Sequence, residues 1–120
     1  MRITFLLLLL LSCGLGCKPK NSSPTALPVE QLPAALEKAF ATAPAEAKEL
    51  ATQLIASIKA QDYSKAHPQM QALGATPHLT PEQLNITARG LLTLNDLLQA
   101  AEAQGDKTAA QALQNYRANK

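Results

Sequence analysis

The sequence predicts a small all-α protein built as a bundle of antiparallel helical hairpins. After Pro33 the chain is rich in Ala, Leu, Gln, Glu and Lys, which are good helix formers. Apolar residues recur there at three- and four-residue spacing, and no segment alternates with a period of two. Aromatic residues make up 3% of the chain and Trp is absent, so the core must consist of aliphatic side chains. Such a core favours packed helices over a sheet sandwich.

The N-terminus has the organisation of an export signal. Arg2 follows Met1, and Ile3 to Leu11 is a nine-residue run that is apolar apart from Thr4. At about 1.5 Å per residue this run is too short to cross a bilayer core of ~30 Å. A basic start, a short apolar run and small residues are typical of a secretory signal. We therefore predict a signal peptide over residues 1–16.

The chain's two cysteines, Cys13 and Cys17, lie at the end of this signal. Leu10-Leu11-Ser12-Cys13 and Gly14-Leu15-Gly16-Cys17 both resemble the lipobox of bacterial lipoproteins. The first matches the motif better, whereas the second gives a more ordinary leader length. The resemblance implies cleavage before a diacylated cysteine, which we assign to Cys17 with Cys13 as the alternative. A residue other than Asp after that cysteine implies sorting to the outer membrane.

A Pro- and Ser-rich linker is predicted over residues 17–33. It contains four of the eight prolines, and its polar residues offer little to bury. The sixteen residues from 18 to 33 would reach about 50 Å in an extended conformation. The sequence thus places the helical domain, residues 34–120, at the end of a semi-rigid spacer.

Five helices are predicted in this domain. A short one spans 34–41, and an amphipathic one starts near Pro44 and ends near Gln61. The third occupies 62–73, with a kink or a late start at Pro68. Thr80 and Gln83 form a capping box for a long fourth helix to Gln104. Its predicted buried stripe comprises Leu84, Ala88, Leu91, Leu94, Leu98 and Ala101. Asp106 caps the last helix, which has Ala109, Leu113 and Tyr116 on one face.

The hairpin over 44–73 resembles a tetratricopeptide unit. The residues that carry the resemblance are Leu50, Asp62, Tyr63, Ala66, Met70 and Leu73. Leu54 and Pro68 depart from that pattern, and the echo at Asp106 comes 44 residues after Asp62 rather than about 34. The resemblance therefore implies one repeat-like hairpin and not an array. The whole chain is also similar to small Ala-rich exported proteins of Verrucomicrobia.

No catalytic, cofactor or metal constellation is evident in the sequence. His67 and His78 lack carboxylate or thiol neighbours at ligand spacing, and Glu46 and Glu49 fit a solvated helix face. From Pro33 onward eight basic residues balance eight acidic ones, which argues against nucleic-acid binding. We expect neither an enzyme nor a cofactor.

The expected function is a membrane-tethered protein–protein interaction module of the cell envelope. Its candidate partner-binding residues are Tyr63, Leu92, Leu97 and Tyr116, and this function requires Leu92 and Leu97 to be partly exposed. The alternative is a structural envelope protein that self-associates along the fourth helix as a homo-oligomer.

Overall fold

The structure is a computed structural model that describes residues 23–120, and all regular secondary structure in this part of the chain is helical, without a strand. A 3-10 turn at Val29–Gln31 precedes the first helix. The helices are α1 (Leu32–Ala39), α2 (Ala45–Lys59), α3 (Tyr63–Gly74), α4 (Pro81–Ala103) and α5 (Lys107–Ala118). The all-α prediction is confirmed. The predicted signal peptide and both cysteines lie outside the described residues.

Local side-chain caps define where three of the helices begin. Asp62 accepts a hydrogen bond from the Lys65 amide at 3.2 Å, so α3 starts at Tyr63 and the late start at Pro68 is wrong. The predicted Thr80–Gln83 capping box is present at the start of α4. Asp106 accepts from the amides of Thr108 and Ala109 at 2.9 and 3.0 Å, as its predicted role requires. Each cap satisfies amide groups that a helix start otherwise leaves unpaired.

The helices form two hydrophobic clusters. The main cluster is built from α1, α2, α3 and α4, and fully buried leucines at positions 32, 36, 54, 73 and 94 form its centre. Each such side chain contributes about 1.5–3 kcal/mol by its removal from water. A smaller cluster of Leu98, Ala109 and Leu113 holds α5 against α4. Tyr63 packs against both clusters and connects them.

Helices α2 and α4 lie on opposite sides of the main cluster. Each packs against both α1 and α3, whereas α2 and α4 have no extensive contact with each other within residues 23–120. The three-residue connection between α2 and α3 makes these two helices an antiparallel hairpin. The outer faces of α2 and α4 therefore point away from each other.

The folded part begins earlier than the predicted boundary at residue 34. Leu27 is buried, and its carbonyl accepts a hydrogen bond from the Thr93 hydroxyl at 2.6 Å. The Thr25 carbonyl accepts from Nε of Arg89 at 2.9 Å. The prolines at 28 and 33 flank the 3-10 turn and the start of α1, where proline fits without losing a needed donor. Thr25 and Leu27 are thus hydrogen-bonded to α4, and residues 29–33 belong to the 3-10 turn and the start of α1.

Candidate interaction surfaces

The first candidate surface is a groove between α1 and α2 with a volume of about 420 Å³, which we name the α1–α2 groove. Its apolar lining consists of Leu36, Phe40, Ala41, Ala51 and Ile55. Its polar lining consists of Glu37, Lys48, Thr52 and Lys59. All four of these polar residues are exposed, and Phe40 is almost fully buried beneath them. The groove therefore combines an apolar floor with a charged rim.

The local sequence produces this groove through spacing and an early helix end. Residues 48, 52, 55 and 59 of α2 follow one another at intervals of four, three and four, so they share one face. Helix α1 ends at Ala39, and the turn that follows is closed by a hydrogen bond from the Ala43 amide to the Phe40 carbonyl at 3.2 Å. Because α1 has only eight residues, it leaves part of this α2 face uncovered.

The second candidate surface is the outer side of α4. Leu84 and Leu92 are the large apolar side chains with the greatest exposure in the described chain, at 49% and 39%. Leu84 also borders an open, largely apolar depression between α3 and α4, together with Met70, Ala88 and Leu91. Exposed apolar side chains grouped on one helix often mark a binding surface.

The exposure of Leu84 corrects the predicted buried stripe of α4. Of the stripe residues, only Leu94 and Leu98 are buried. The buried face instead includes Gln83, Thr87 and Gly90. The side chains of Gln83 and Thr87 donate hydrogen bonds to main-chain carbonyls of the protein. Gly90 allows the close approach of Met70. The helix is therefore rotated so that Leu84 faces outward.

A third feature is an open pocket between α3 and α5 that contains His67 and Tyr116. Their rings meet edge to face, with centroids 4.9 Å apart. The Nζ of Lys120 lies 4.9 Å from the centroid of the Tyr116 ring. Nε2 of His67 is buried without a hydrogen-bond partner, and burial lowers the pKa of this imidazole. No carboxylate lines the pocket in the described chain, so the site offers contacts to neutral groups rather than an acid–base pair.

The structure does not bring the four predicted partner-binding residues together. Tyr63 is partly buried between the two clusters, and Tyr116 packs against His67. Leu92 is exposed and Leu97 partly exposed, as the interaction hypothesis requires. These two leucines lie five residues apart on α4, so they point in different directions. Partner binding by these four residues stays a prediction.

The other titratable residues that the sequence analysis weighed are dispersed. His78 is exposed in the turn before α4, and Glu46 and Glu49 are exposed on α2. Among residues 23–120, no three His, Cys, Asp or Glu side chains are close enough to hold a metal ion. None of the described helices is both long and apolar enough to cross a membrane.

Sequence reasoning did not identify the α1–α2 groove. Phe40 is the only Phe after the leader, and it directly follows α1. The sequence signal for this groove was a single Phe beside a helix end. It is followed by a helix that has lysines on its exposed side. The pattern does not reveal how far α1 covers α2, which depends on the packing of both helices.

Comparison with protein-family models, curated proteins and solved structures finds no significant match to this chain. The arguments for function therefore depend on the sequence and the geometry of these surfaces.

Proposed function

We propose that this protein is a lipid-anchored component of the bacterial cell envelope whose helical domain binds a partner protein in the α1–α2 groove. The observation that carries the proposal is the groove's apolar lining, with Ile55 and the largely buried Phe40, beside the exposed residues Lys48 and Lys59. Protein interfaces commonly combine a desolvated apolar centre with a polar rim.

The groove dimensions favour an amphipathic helix as the occupant. Lys48 and Lys59 are eleven residues apart on α2, which corresponds to about 16 Å or three helical turns. A helix with an apolar stripe would cover the floor, and carboxylates at its two ends would pair with the lysines. Glu37 on the α1 side would favour a basic or amide side chain opposite it. This is the helix-in-groove mode of recognition.

The anchor is supported by the signal-like N-terminus and the two lipobox-like sequences. Substitution of the acylated cysteine should release the protein from the membrane fraction. We expect Cys17→Ala to abolish incorporation of labelled palmitate and Cys13→Ala to leave it intact. The reverse result would assign the lipid to Cys13, and incorporation in neither wild type nor variant would contradict the anchor.

Partner binding is testable with a photo-crosslinking amino acid at Thr52 in intact cells. Thr52 is exposed in the groove, and Gln114 on the exposed side of α5 is the matched control position. We expect one dominant adduct from position 52 and none from position 114. The double substitution Lys48→Glu and Lys59→Glu should reduce that adduct at least fivefold, whereas Lys107→Glu on α5 should not. Groove binding would be contradicted if position 52 gave no adduct. It would also be contradicted if the double substitution of Lys48 and Lys59 left the adduct unchanged.

The alternative function is self-association along α4. The exposure of Leu84 and Leu92 on that helix is the observation in its favour. A chain that stays monomeric at high concentration in analytical sedimentation would exclude this function. A concentration-dependent dimer lost on Leu92→Gln would support it.

A further inference from the structure

We propose that the pocket between α3 and α5, which we name the α3–α5 pocket, binds a neutral saccharide. This inference goes beyond the proposed function, because it needs neither the lipid anchor nor the α1–α2 groove. Three observations carry it: the uncharged polar lining of the pocket, the aromatic ring in that lining and the unpartnered Nε2 of His67.

The α3–α5 pocket is formed by one face of each helix. On α3 the lining residues 64, 67, 68 and 71 follow at intervals of three, one and three, so they share a face. On α5 the lining residues 108, 111, 112 and 115 repeat the same spacing. Both helices pack against α4, which holds the two faces beside each other. The pocket volume of about 430 Å³ lies within the range of roughly 300–1,000 Å³ that is usual for small-molecule sites.

The lining of this pocket is polar without being charged. No lysine, arginine, aspartate or glutamate of the described chain lines it, whereas two lysines and a glutamate line the α1–α2 groove. A charged ligand would lose its hydration here without gaining a counter-charge, so the lining favours a neutral ligand. The polar side chains are hydroxyls and carboxamides, namely Ser64, Gln71, Thr108, Gln111, Asn115 and Asn119.

The hydrogen-bonding groups of this lining match those of a sugar. Hydroxyl and carboxamide groups both donate and accept hydrogen bonds, as sugar hydroxyls do. Nε2 of Gln111 donates to Oδ1 of Asn115 at 2.9 Å, which orients the two amides relative to each other. That bond leaves Oε1 of Gln111 as an acceptor and Nδ2 of Asn115 as a donor for other partners. Two neighbouring hydroxyls of a sugar ring would donate to the first and accept from the second.

The apolar contact that a sugar ring requires is supplied by Tyr116. The faces of a sugar ring carry C–H groups, which pack on an aromatic ring while the hydroxyls at the edge form hydrogen bonds. Nζ of Lys120 lies 4.9 Å from the centroid of the Tyr116 ring. A sugar that stacks on the same face of the ring would therefore take the place of Lys120.

His67 contributes an unsatisfied polar atom to this pocket. Its side chain lines the pocket with only 1% of the residue exposed, and Nε2 has no hydrogen-bond partner in the described chain. A buried polar atom without a partner is unfavourable, so a ligand hydroxyl that supplies the partner gains free energy. Because Nε2 is itself buried, this bond requires the adjacent Tyr116 ring to shift as the ligand enters.

A neutral peptide is the competing ligand, since its amides also donate and accept. Peptide recognition commonly uses pockets for apolar side chains. Besides the Tyr116 ring, the apolar side chains that line this pocket in the described chain are Pro68 and Ala112, and both are small. An aromatic ring surrounded by hydroxyls and carboxamides therefore fits a saccharide better than a peptide.

The test is an NMR titration of the mature chain as purified from cells, in micelles of a phosphocholine detergent that has no sugar headgroup. The probe is the trisaccharide of β-1,4-linked N-acetylglucosamine, which carries hydroxyls and acetamido groups but no charge. Gln111→Ala removes a carboxamide from the pocket. Gln114→Ala is the matched control, because Gln114 is also exposed on α5 but does not line the pocket. N-acetyl-tetraglycine amide serves as the neutral peptide.

We expect saturable shifts at the amides of residues 64–71 and 108–116 and at the ring protons of Tyr116. Gln111→Ala should weaken the affinity at least fivefold, and Gln114→Ala should leave it unchanged. The inference is overturned if the trisaccharide gives no saturable shifts, if the shifts lie elsewhere in the protein, or if Gln111→Ala binds as tightly as the wild type. Tetraglycine that binds at the same residues as tightly as the trisaccharide would assign the pocket to peptides and also overturn it. None of these results bears on the lipid anchor or the α1–α2 groove, so the proposed function fails or succeeds separately.

Discussion

The side-chain amide of Gln83 donates a hydrogen bond to the main-chain carbonyl of Ala39 at 3.0 Å. Its side-chain oxygen accepts from the Thr80 amide at 2.9 Å, so one residue caps the start of α4 and the end of α1. Ala39 is the last residue of α1, where carbonyls lack partners within the helix. Gln83 thereby fixes the end of α1, the helix that forms one wall of the α1–α2 groove.

Removal of this side chain should therefore destabilise the protein more than loss of an ordinary cap. For Gln83→Ala we expect a loss of about 2–3 kcal/mol in the free energy of unfolding, because both hydrogen bonds disappear from a buried site. Thr80→Ala should cost about 1 kcal/mol, since it removes only the local cap. Urea unfolding of the mature chain, followed by circular dichroism, measures both. Equal losses would show that the bond to Ala39 contributes little.

The two roles of Gln83 illustrate what the sequence can predict. Thr80 and Gln83 are three residues apart, so the capping box follows from local spacing alone. The bond to Ala39 joins residues 44 positions apart, and no local pattern contains it. The same long-range packing rotates α4 away from the orientation that its leucines favour. It also bonds the main chain at Thr25 and Leu27 to α4, within the segment whose proline content indicates a linker.

The close packing of Gly90 against Met70 predicts opposite effects for two Gly→Ala substitutions. A Cβ at Gly90 would overlap Cε of Met70 and lie 3.0 Å from Cδ1 of Leu32, both in the core. Gly90→Ala should therefore lower the free energy of unfolding by about 1–2 kcal/mol, despite the better helix propensity of Ala.

Gly74→Ala is the matched control at the end of α3. A Cβ there lies 3.4 Å from Oγ1 of Thr87, which is an ordinary contact. We expect this variant to gain about 0.5–1 kcal/mol. Thermal unfolding of the two variants beside the wild type measures the difference. A stabilised Gly90→Ala protein would mean that Met70 moves aside without cost.

The hydroxyl of Thr93 should determine whether residues 25–31 stay attached to the helical domain. It is the donor to the Leu27 carbonyl, and Thr93 is itself buried. Thr93→Val keeps the shape and removes the donor, which should cost about 1–2 kcal/mol. We expect faster amide hydrogen exchange at Gln31, whose amide bonds the Pro28 carbonyl, with little change in α5. Thr93→Ser retains the hydroxyl and should keep the protection. Unchanged exchange in Thr93→Val would show that Leu27 burial alone holds the segment.

Burial of His67 predicts that stability falls in mildly acidic solution. Desolvation lowers the pKa of this imidazole in the folded state, while the unfolded chain keeps the ordinary value near 6.5. The unfolded state therefore binds the proton more readily, and the stability present above about pH 6.5 is lost as the pH falls toward the folded-state pKa. We expect the urea midpoint to be lower at pH 5.5 than at pH 7.5.

A non-titrating aromatic residue at the same position separates this effect from other ionisations. His67→Phe retains a ring beside Tyr116 and cannot take up a proton, so its urea midpoint should change much less between the two pH values. His78→Asn, at an exposed turn residue with a φ of 63°, is the control for a histidine outside the core. It should keep the wild-type pH dependence. If His67→Phe lost as much stability as the wild type at pH 5.5, the acid sensitivity would arise from groups other than His67.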